Sequence, residues 1–352
     1  MKKKILFVSN MYPSKEAPHF GTFIEKNYNM LSKEYDVEKI VMLSSKSKID
    51  KIKKYVHFFM KIFNRVLKGK YTMIYVHFPS FSFIPLFFLE NSNTKNIVIN
   101  LHGSDLISKK ILNIVLNNIF TTNALKRSKK VIVPSEYFKK LIEQKHKIQT
   151  NKIFVSASGG IDSSIFYSKP KSVNSHKIIG YCGRLTKEKG VIELTEAFLK
   201  AYSTDNELKL YIIGSGNQKK EIENMVKDIP KEAVTLFGGK NQLEVSEILN
   251  EVDIFVFPSW QESLGLVGIE AMSKKCLVIA SDISGITSYL KDQYNGMVFQ
   301  PKKSESLLDC LNKALNLNEV EREKIINNGY KTSEKYSSTI VEKLLLEELR
   351  GK

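Results

Sequence analysis

The chain is 352 residues long and 42% hydrophobic, enough for two buried cores. Lysine and arginine number 54 against 37 aspartates and glutamates, a formal net charge of +17. A chain this basic is expected to meet something anionic: nucleic acid, a membrane surface or a phosphorylated substrate.

The N-terminal Met1-Lys-Lys-Lys4 looks like the start of a secretion signal. The apolar run after it, Ile5–Val8, is too short for one and stops at Ser9-Asn10. The longest apolar run, Phe83–Leu89, falls far short of the ~20 residues that cross a bilayer. The cysteines, Cys182, Cys276 and Cys310, are widely spaced and form no metal-ligand pair, which fits a reduced compartment. The expectation is a cytoplasmic protein, soluble or peripheral on the inner face of the membrane.

Short apolar runs then alternate with helical patterns. Lys4–Val8, Ile40–Leu43, Met73–Val76, Asn96–Asn100, Lys130–Val133 and Ile153–Ser156 read as strands of a first half. Ile178–Tyr181, Leu208–Ile213, Val234–Phe237, Ile254–Phe257, Leu277–Ala280 and Gly296–Phe299 read as strands of a second. Strand–helix alternation predicts parallel sheets with helices on both faces. The polar stretch 168–176 reads as a linker. The expected domains are 1–170, 171–330, and a last amphipathic helical segment, 331–352, packing back on the first domain. Doubly wound domains place their strand C-termini at one cleft, where ligands of such folds bind.

Between the first strands, Lys51–Lys68 has helical periodicity. Ile52, Tyr55, Val56, Phe59, Ile62, Phe63 and Val66 are expected on one face, with Lys53, Lys54, His57, Lys61, Asn64, Arg65 and Lys68 opposite and Phe58 and Met60 flanking. This is either a crossover helix buried on the first sheet or a basic amphipathic helix lying on an anionic membrane.

Candidate functional residues follow the strands. Gly21, after a Pro-containing loop, either lets backbone approach a ligand or simply joins strand to helix. Asn100-Leu-His102-Gly103-Ser104-Asp105 offers an imidazole at a strand end, or a His and Asp that cap the next helix. Adjacent residues cannot supply the geometry of a Ser-His-Asp triad. Gly183-Arg184 and Lys189 form either a charged surface loop or a phosphate grip, Arg as a planar fork and Lys as a point charge. Gly214-Ser-Gly216 reads as a tight turn, since Lys219 stands where a dinucleotide fingerprint has its third glycine. The sequence carries no D-x-D pair and no His cluster, so no metal is expected.

Pro258-Ser-Trp-Gln-Glu262-Ser-Leu264-Gly265-Leu266-Val267-Gly-Ile-Glu270 is the most informative stretch. A buried strand ends at Pro258 and a helix opens at Gly265, so two acids flank a strand-to-helix turn. Such turns expose N–H groups and favour an anion. Carboxylates repel a phosphate, so Glu262 and Glu270 are suited to gripping sugar hydroxyls attached to it. The alternative is an ordinary helix with one surface acid and one capping acid.

Taken in chain order, these pieces resemble the retaining glycosyltransferases of family 4. They are the Gly21 loop, His102-Gly-Ser-Asp105, Val133-Pro-Ser135, Gly160-Ile-Asp162 with Phe166, Gly183-Arg-Leu185 with Lys189-Gly190, and Glu262 with Glu270. The resemblance implies the GT-B fold: α/β, two Rossmann-like doubly wound domains facing a central cleft. It implies that Arg184 and Lys189 hold the donor diphosphate and that Glu262 and His102 contact the donor sugar. Glu270 would meet the ribose, and backbone around Gly183 and Leu264, Gly265, Leu266 and Val267 the phosphates. The partners implied are a UDP- or GDP-sugar donor and a glycan or lipid-linked acceptor, with no cofactor or metal and no nucleic acid. Departures from the family pattern are Ser284-Gly285 with Ser288, and Lys274-Lys275-Cys276 where a Gly is frequent. Two rival readings are a nucleotide-sugar epimerase on the same fold and a basic nucleic-acid-binding protein. The aromatics sit inside apolar runs, which disfavours the latter.

Overall fold

The computed structural model describes residues 2–17, 20–45, 47–90, 92–103, 106, 117–168 and 177–351. Ser104, Asp105 and all but Ser168 of the 168–176 stretch lie outside the described residues. The chain divides into two compact units, Met1–Gly159 with Glu342–Lys352, and Gly160–Val341.

The first unit is built on a six-stranded sheet of β1 (Lys4–Ser9), β2 (Asp36–Val41), β3 (Met73–His77), β4 (Ile97–Asn100), β5 (Lys130–Val133) and β6 (Ile153–Val155). The order is β2-β1-β3-β4-β5-β6 and all pairings are parallel. Successive side chains of a strand point to opposite faces. Ile5 and Phe7 of β1 accordingly pack with Ile24 and Leu31 of α1 (Thr22–Glu34), while Leu6 and Val8 pack with Phe58, Ile62 and Val66 of α2 (Lys48–Lys68). Leu345 and Leu346 of the last helix, Ser338–Arg350, join the α1 side of this core, and Arg350 pairs with Glu34.

Three elements differ from the sequence expectation. β2 begins at Asp36, four residues before the apolar run, and Leu43 is exposed. As an edge strand with a solvated face, β2 accepts Asp36, Glu38 and Lys39, so its pattern is hidden from hydropathy. In α2 the buried side chains are Phe58, Ile62 and Val66, with Tyr55 and Phe59 partly covered; Ile52, Val56 and Phe63 are exposed. The helical segment expected over 331–352 breaks at 335–337. There the Ile161 N–H donates to the Tyr336 carbonyl (2.8 Å) and the Ser338 N–H to the Ile161 carbonyl (2.7 Å), replacing helical bonds.

The second unit has β7 (Ile178–Cys182), β8 (Lys209–Ile213), β9 (Val234–Gly238), β10 (Ile254–Phe257), β11 (Leu277–Ser281) and β12 (Met297–Phe299). Their order, β12-β11-β10-β7-β8-β9, is again wholly parallel. This is the doubly wound order whose connections reverse direction between β7 and β10. Ligands of such sheets bind beyond the strand ends at that switch point.

Candidate active site

The two loops at the switch point are the ones that carry the sequence candidates. After β7 the chain turns through Gly183-Arg184-Leu185. The Gly183 N–H donates to the Ile213 carbonyl and the Leu185 N–H to the Ser215 carbonyl, both at 2.9 Å. The Tyr181 hydroxyl donates to the Arg184 carbonyl at 2.8 Å. A Cβ on Gly214 would lie 1.8 Å from the Gly183 oxygen, and one on Gly216 2.2 Å from the Leu185 oxygen. The Gly214-Ser-Gly216 turn is therefore a backbone seat for the Arg184 loop. With its backbone fixed, Arg184 leaves its side chain 70% exposed, the guanidinium 3.7 Å from Glu188.

The loop after β10 is clamped to the first. The Trp260 N–H donates to the Glu188 carbonyl at 2.9 Å, and the Trp260 indole to Glu193 at 3.0 Å. Gly190, at φ 68°, lies so near Pro258 that a Cβ would stand 2.0 Å from its oxygen. The Lys189 ammonium pairs with the Glu262 carboxylate, which also accepts from Ser259 Oγ at 3.0 Å. The side chains of this pair are only 18% and 14% exposed, so each charge depends on the other.

Gly265, at φ 83°, begins the helix Leu266–Ser273, and a Cβ there would meet the Phe257 ring at 2.4 Å. The first-turn N–H groups of Leu266 and Val267 have no acceptor within the helix. Glu270 sits one turn further along. Arg184, Lys189, Glu262, Val267 and Glu270 line one cavity of about 330 Å³, within the size range of small-molecule sites. Leu264 is buried and is not among the residues that line it.

The same cavity is lined by residues the sequence reading did not single out: Tyr181, Cys182, Lys240, Gln242, Val245 and Ser259. Lys240 pairs with Glu244 at 2.8 Å. Its signal was present in Gly238-Gly239-Lys240, which directly follows a predicted strand. Cys182 ends β7; burial, with the Glu270 carboxylate as second cause, pushes its thiol up to about 12, so it stays protonated. Phe166 is buried and closes one wall. Among the described residues no group of His, Cys, Asp and Glu could hold a metal ion.

Gly21 and His102 belong to the first unit. Gly21 opens α1 in the left-handed conformation. His102 lies two residues past β4, its ring stacked on that of His77, the last residue of β3, with centroids 5.1 Å apart. His77 Nδ1 and His102 Nε2 are 2.8 Å apart. Burial holds both imidazoles neutral, His77 well below its ordinary value and His102 down to about 3. His77 Nε2 is buried without a partner. An orphaned lone pair costs less than an orphaned N–H when the other nitrogen has an acceptor to meet. The arrangement of lower energy therefore has His77 Nδ1–H donating to His102 Nε2.

A parallel, doubly wound sheet with cations and a helix N-terminus gathered at its switch point is an arrangement suited to an anionic ligand. Residues 164–332 match the family described as "Glycosyl transferases group 1". An uncharacterized glycosyltransferase of Methanocaldococcus jannaschii is 27% identical over 249 residues, covering 71% of this chain and 66% of that protein. The capsular polysaccharide biosynthesis glycosyltransferase CapM of Staphylococcus aureus is 28% identical over 223 residues, covering 60% of this chain and 58% of that one. The chain thus spans about two thirds or less of the length of these curated relatives. The crystal structure of Anabaena HepE in complex with UDP superposes with a TM-score of 0.73 at 17% identity, covering 99% of this chain and all of that one. The fold is GT-B, and the family match, 164–332, falls within the second unit.

Proposed function

We propose that the protein is a retaining glycosyltransferase. It moves a sugar from a UDP- or GDP-sugar to a glycan or lipid-linked acceptor in cell-surface polysaccharide or glycolipid synthesis. The observation that carries this reading is the switch-point cavity, where Arg184, the Lys189–Glu262 pair and the Gly265-capped helix meet beside Glu270. Support for the donor class and the pathway comes from the UDP in the HepE structure and the capsular polysaccharide role in the name of CapM.

In this reading the donor diphosphate lies at the first turn of the Leu266–Ser273 helix. Backbone N–H groups from Leu264 to Val267 and at Gly183 meet it, and Arg184 and Lys189 supply positive charge. Glu262, already held by Ser259 and Lys189, grips donor-sugar hydroxyls, and Glu270 meets the ribose. His102 is assigned as a further sugar contact, by a neutral imidazole. As the resemblance to the retaining family implies, the leaving phosphate itself draws the acceptor proton and the anomeric configuration is kept. Charge stabilisation of that leaving group by Arg184 and Lys189 is the main protein contribution, without a metal. The lipid-linked branch of the reading places the enzyme on an anionic membrane surface through residues 51–68.

The test is a thermal-shift panel of UDP-, GDP- and ADP-sugars, followed by transfer assays with EDTA and with magnesium, and by NMR of the product anomer. One nucleotide-sugar raises the melting temperature, and transfer proceeds equally in EDTA with the configuration retained. Arg184→Ala lowers transfer by ~10²–10³-fold. Its fold stays intact, because the side chain is mostly in solvent. An epimerised sugar formed without acceptor, a strict magnesium requirement, or wild-type turnover in Arg184→Ala would each overturn the reading.

A further inference from the structure

Among the described residues Lys274 is the one buried lysine, 1% exposed. A lysine is almost never fully buried without a partner. Its main-chain N–H ends the Leu266–Ser273 helix, donating to the Glu270 and Ala271 carbonyls at 3.2 and 3.1 Å. Its ammonium reaches elsewhere, donating to the Tyr167 carbonyl at 2.7 Å and lying 5.0 Å from the centre of the Tyr167 ring. Two residues before Tyr167, the Ile165 carbonyl accepts from Ser246 Oγ at 2.6 Å. Ser246 is buried on the helix Gln242–Glu251, beside Val245 of the cavity wall. Phe166 stands between these two ties and lines the same cavity. Upstream it is held by one turn, in which the Ile165 and Phe166 N–H groups donate to the Asp162 carbonyl at 3.0 and 2.8 Å.

We infer that Lys274 and Ser246 are positioning residues for the donor nucleotide, acting through Phe166. The inference rests on the reading of this cavity as the donor site. Burying an ammonium has a desolvation cost that an apolar side chain of similar length avoids. Lys274 is therefore a poor space-filler, but a charge-assisted hydrogen bond from it is short and directional, and so fixes a carbonyl in place. The residue that ends the helix carrying Glu270 thereby also holds the segment carrying Phe166. It sets the separation of two cavity walls, one an acid and one an aromatic ring. Ser246 sets the third side, where Val245 lines the cavity. A ligand entering between walls already in position loses less free energy to ordering them.

The test is calorimetric titration of the purified protein with UDP and with GDP. Lys274→Met weakens the nucleotide that wild type binds by about tenfold, and Ser246→Ala by about threefold. In the transfer assay the donor KM rises by the same factors while kcat stays within about twofold, since neither side chain meets the reacting groups. Ser246→Ala removes one hydroxyl and keeps the fold, so it decides the matter even where Lys274→Met does not fold. Phe166→Leu, a mild change of volume, separates positioning from general loosening. In that background Lys274→Met weakens binding by no more than about twofold, because its effect passes through the ring already altered. A second full loss there, or a fall in kcat with KM unchanged, would make Lys274 a structural residue and end the inference. So would wild-type affinity in Ser246→Ala and in a folded Lys274→Met, with the donor-site reading left standing. A wild type that binds neither UDP nor GDP overturns that reading and this inference together.

Discussion

Lys189 and Glu262, 73 residues apart in the chain, share a hydrogen bond that decides how the site behaves. Each was legible as a candidate, Glu262 from its spacing to Glu270 and Lys189 from its place after a strand. Their pairing was not, because it depends on β7 and β10 being neighbours. The pairing separates stability from catalysis. Lys189→Met leaves Glu262 largely enclosed without its cation and costs about 1–3 kcal/mol. Adding Glu262→Gln removes the stranded charge and recovers most of that loss. Neither variant transfers sugar. Urea denaturation of both singles and the double checks this; simple additivity would show that the pair contributes nothing to the fold.

At the scale of elements, the loops matter more than the strands. Gly190 lets the Lys189 turn lie against Pro258, and it does so at φ 68°. Gly190→Ala meets both a backbone clash and a left-handed penalty, and is expected to cost about 2–4 kcal/mol. Transfer should fall with stability, since Lys189 moves with the turn; an unchanged urea midpoint would refute the close approach. Lys275 shows the converse. It adopts φ 55° after the Leu266–Ser273 helix, a conformation for which glycine is the usual residue, at the point where the sequence departs from the pattern of the family it resembles. Of the helices, α2 misled the sequence reading most. Its apolar residues cover more than one face, and periodicity cannot say which face a sheet will take. Burying Phe58, Ile62 and Val66, roughly 1.5–3 kcal/mol each, settled the orientation and left the other row outside.

At the scale of the molecule, the buried pair His77 and His102 ties the first unit's stability to pH. Both titrate near 6.5 when unfolded and well below that when folded. Between about pH 3 and 6.5 the unfolded chain therefore binds more protons, so stability is full above 6.5 and falls as pH drops, by up to about 1.4 kcal/mol per pH unit for each histidine. Denaturation of the first unit followed from pH 7 to 5, before most carboxylates titrate, should show this slope, and His77→Phe should reduce it to the part that His102 contributes. An equal slope in the variant would mean that the protons go elsewhere. What the sequence alone determined was the alternation of strands and helices, the parallel sheets that follow from it, and the acids and cations at strand ends. These are local properties, set by side-chain period and turn chemistry. Strand order is not local. The neighbours β7 and β10, the stacked His77 and His102, the cavity lined by Lys240 and Cys182, and the exposed row of α2 exist only once distant strands are placed side by side. Only the tertiary structure could decide them, because each rests on contacts between segments that carry no record of one another in the chain.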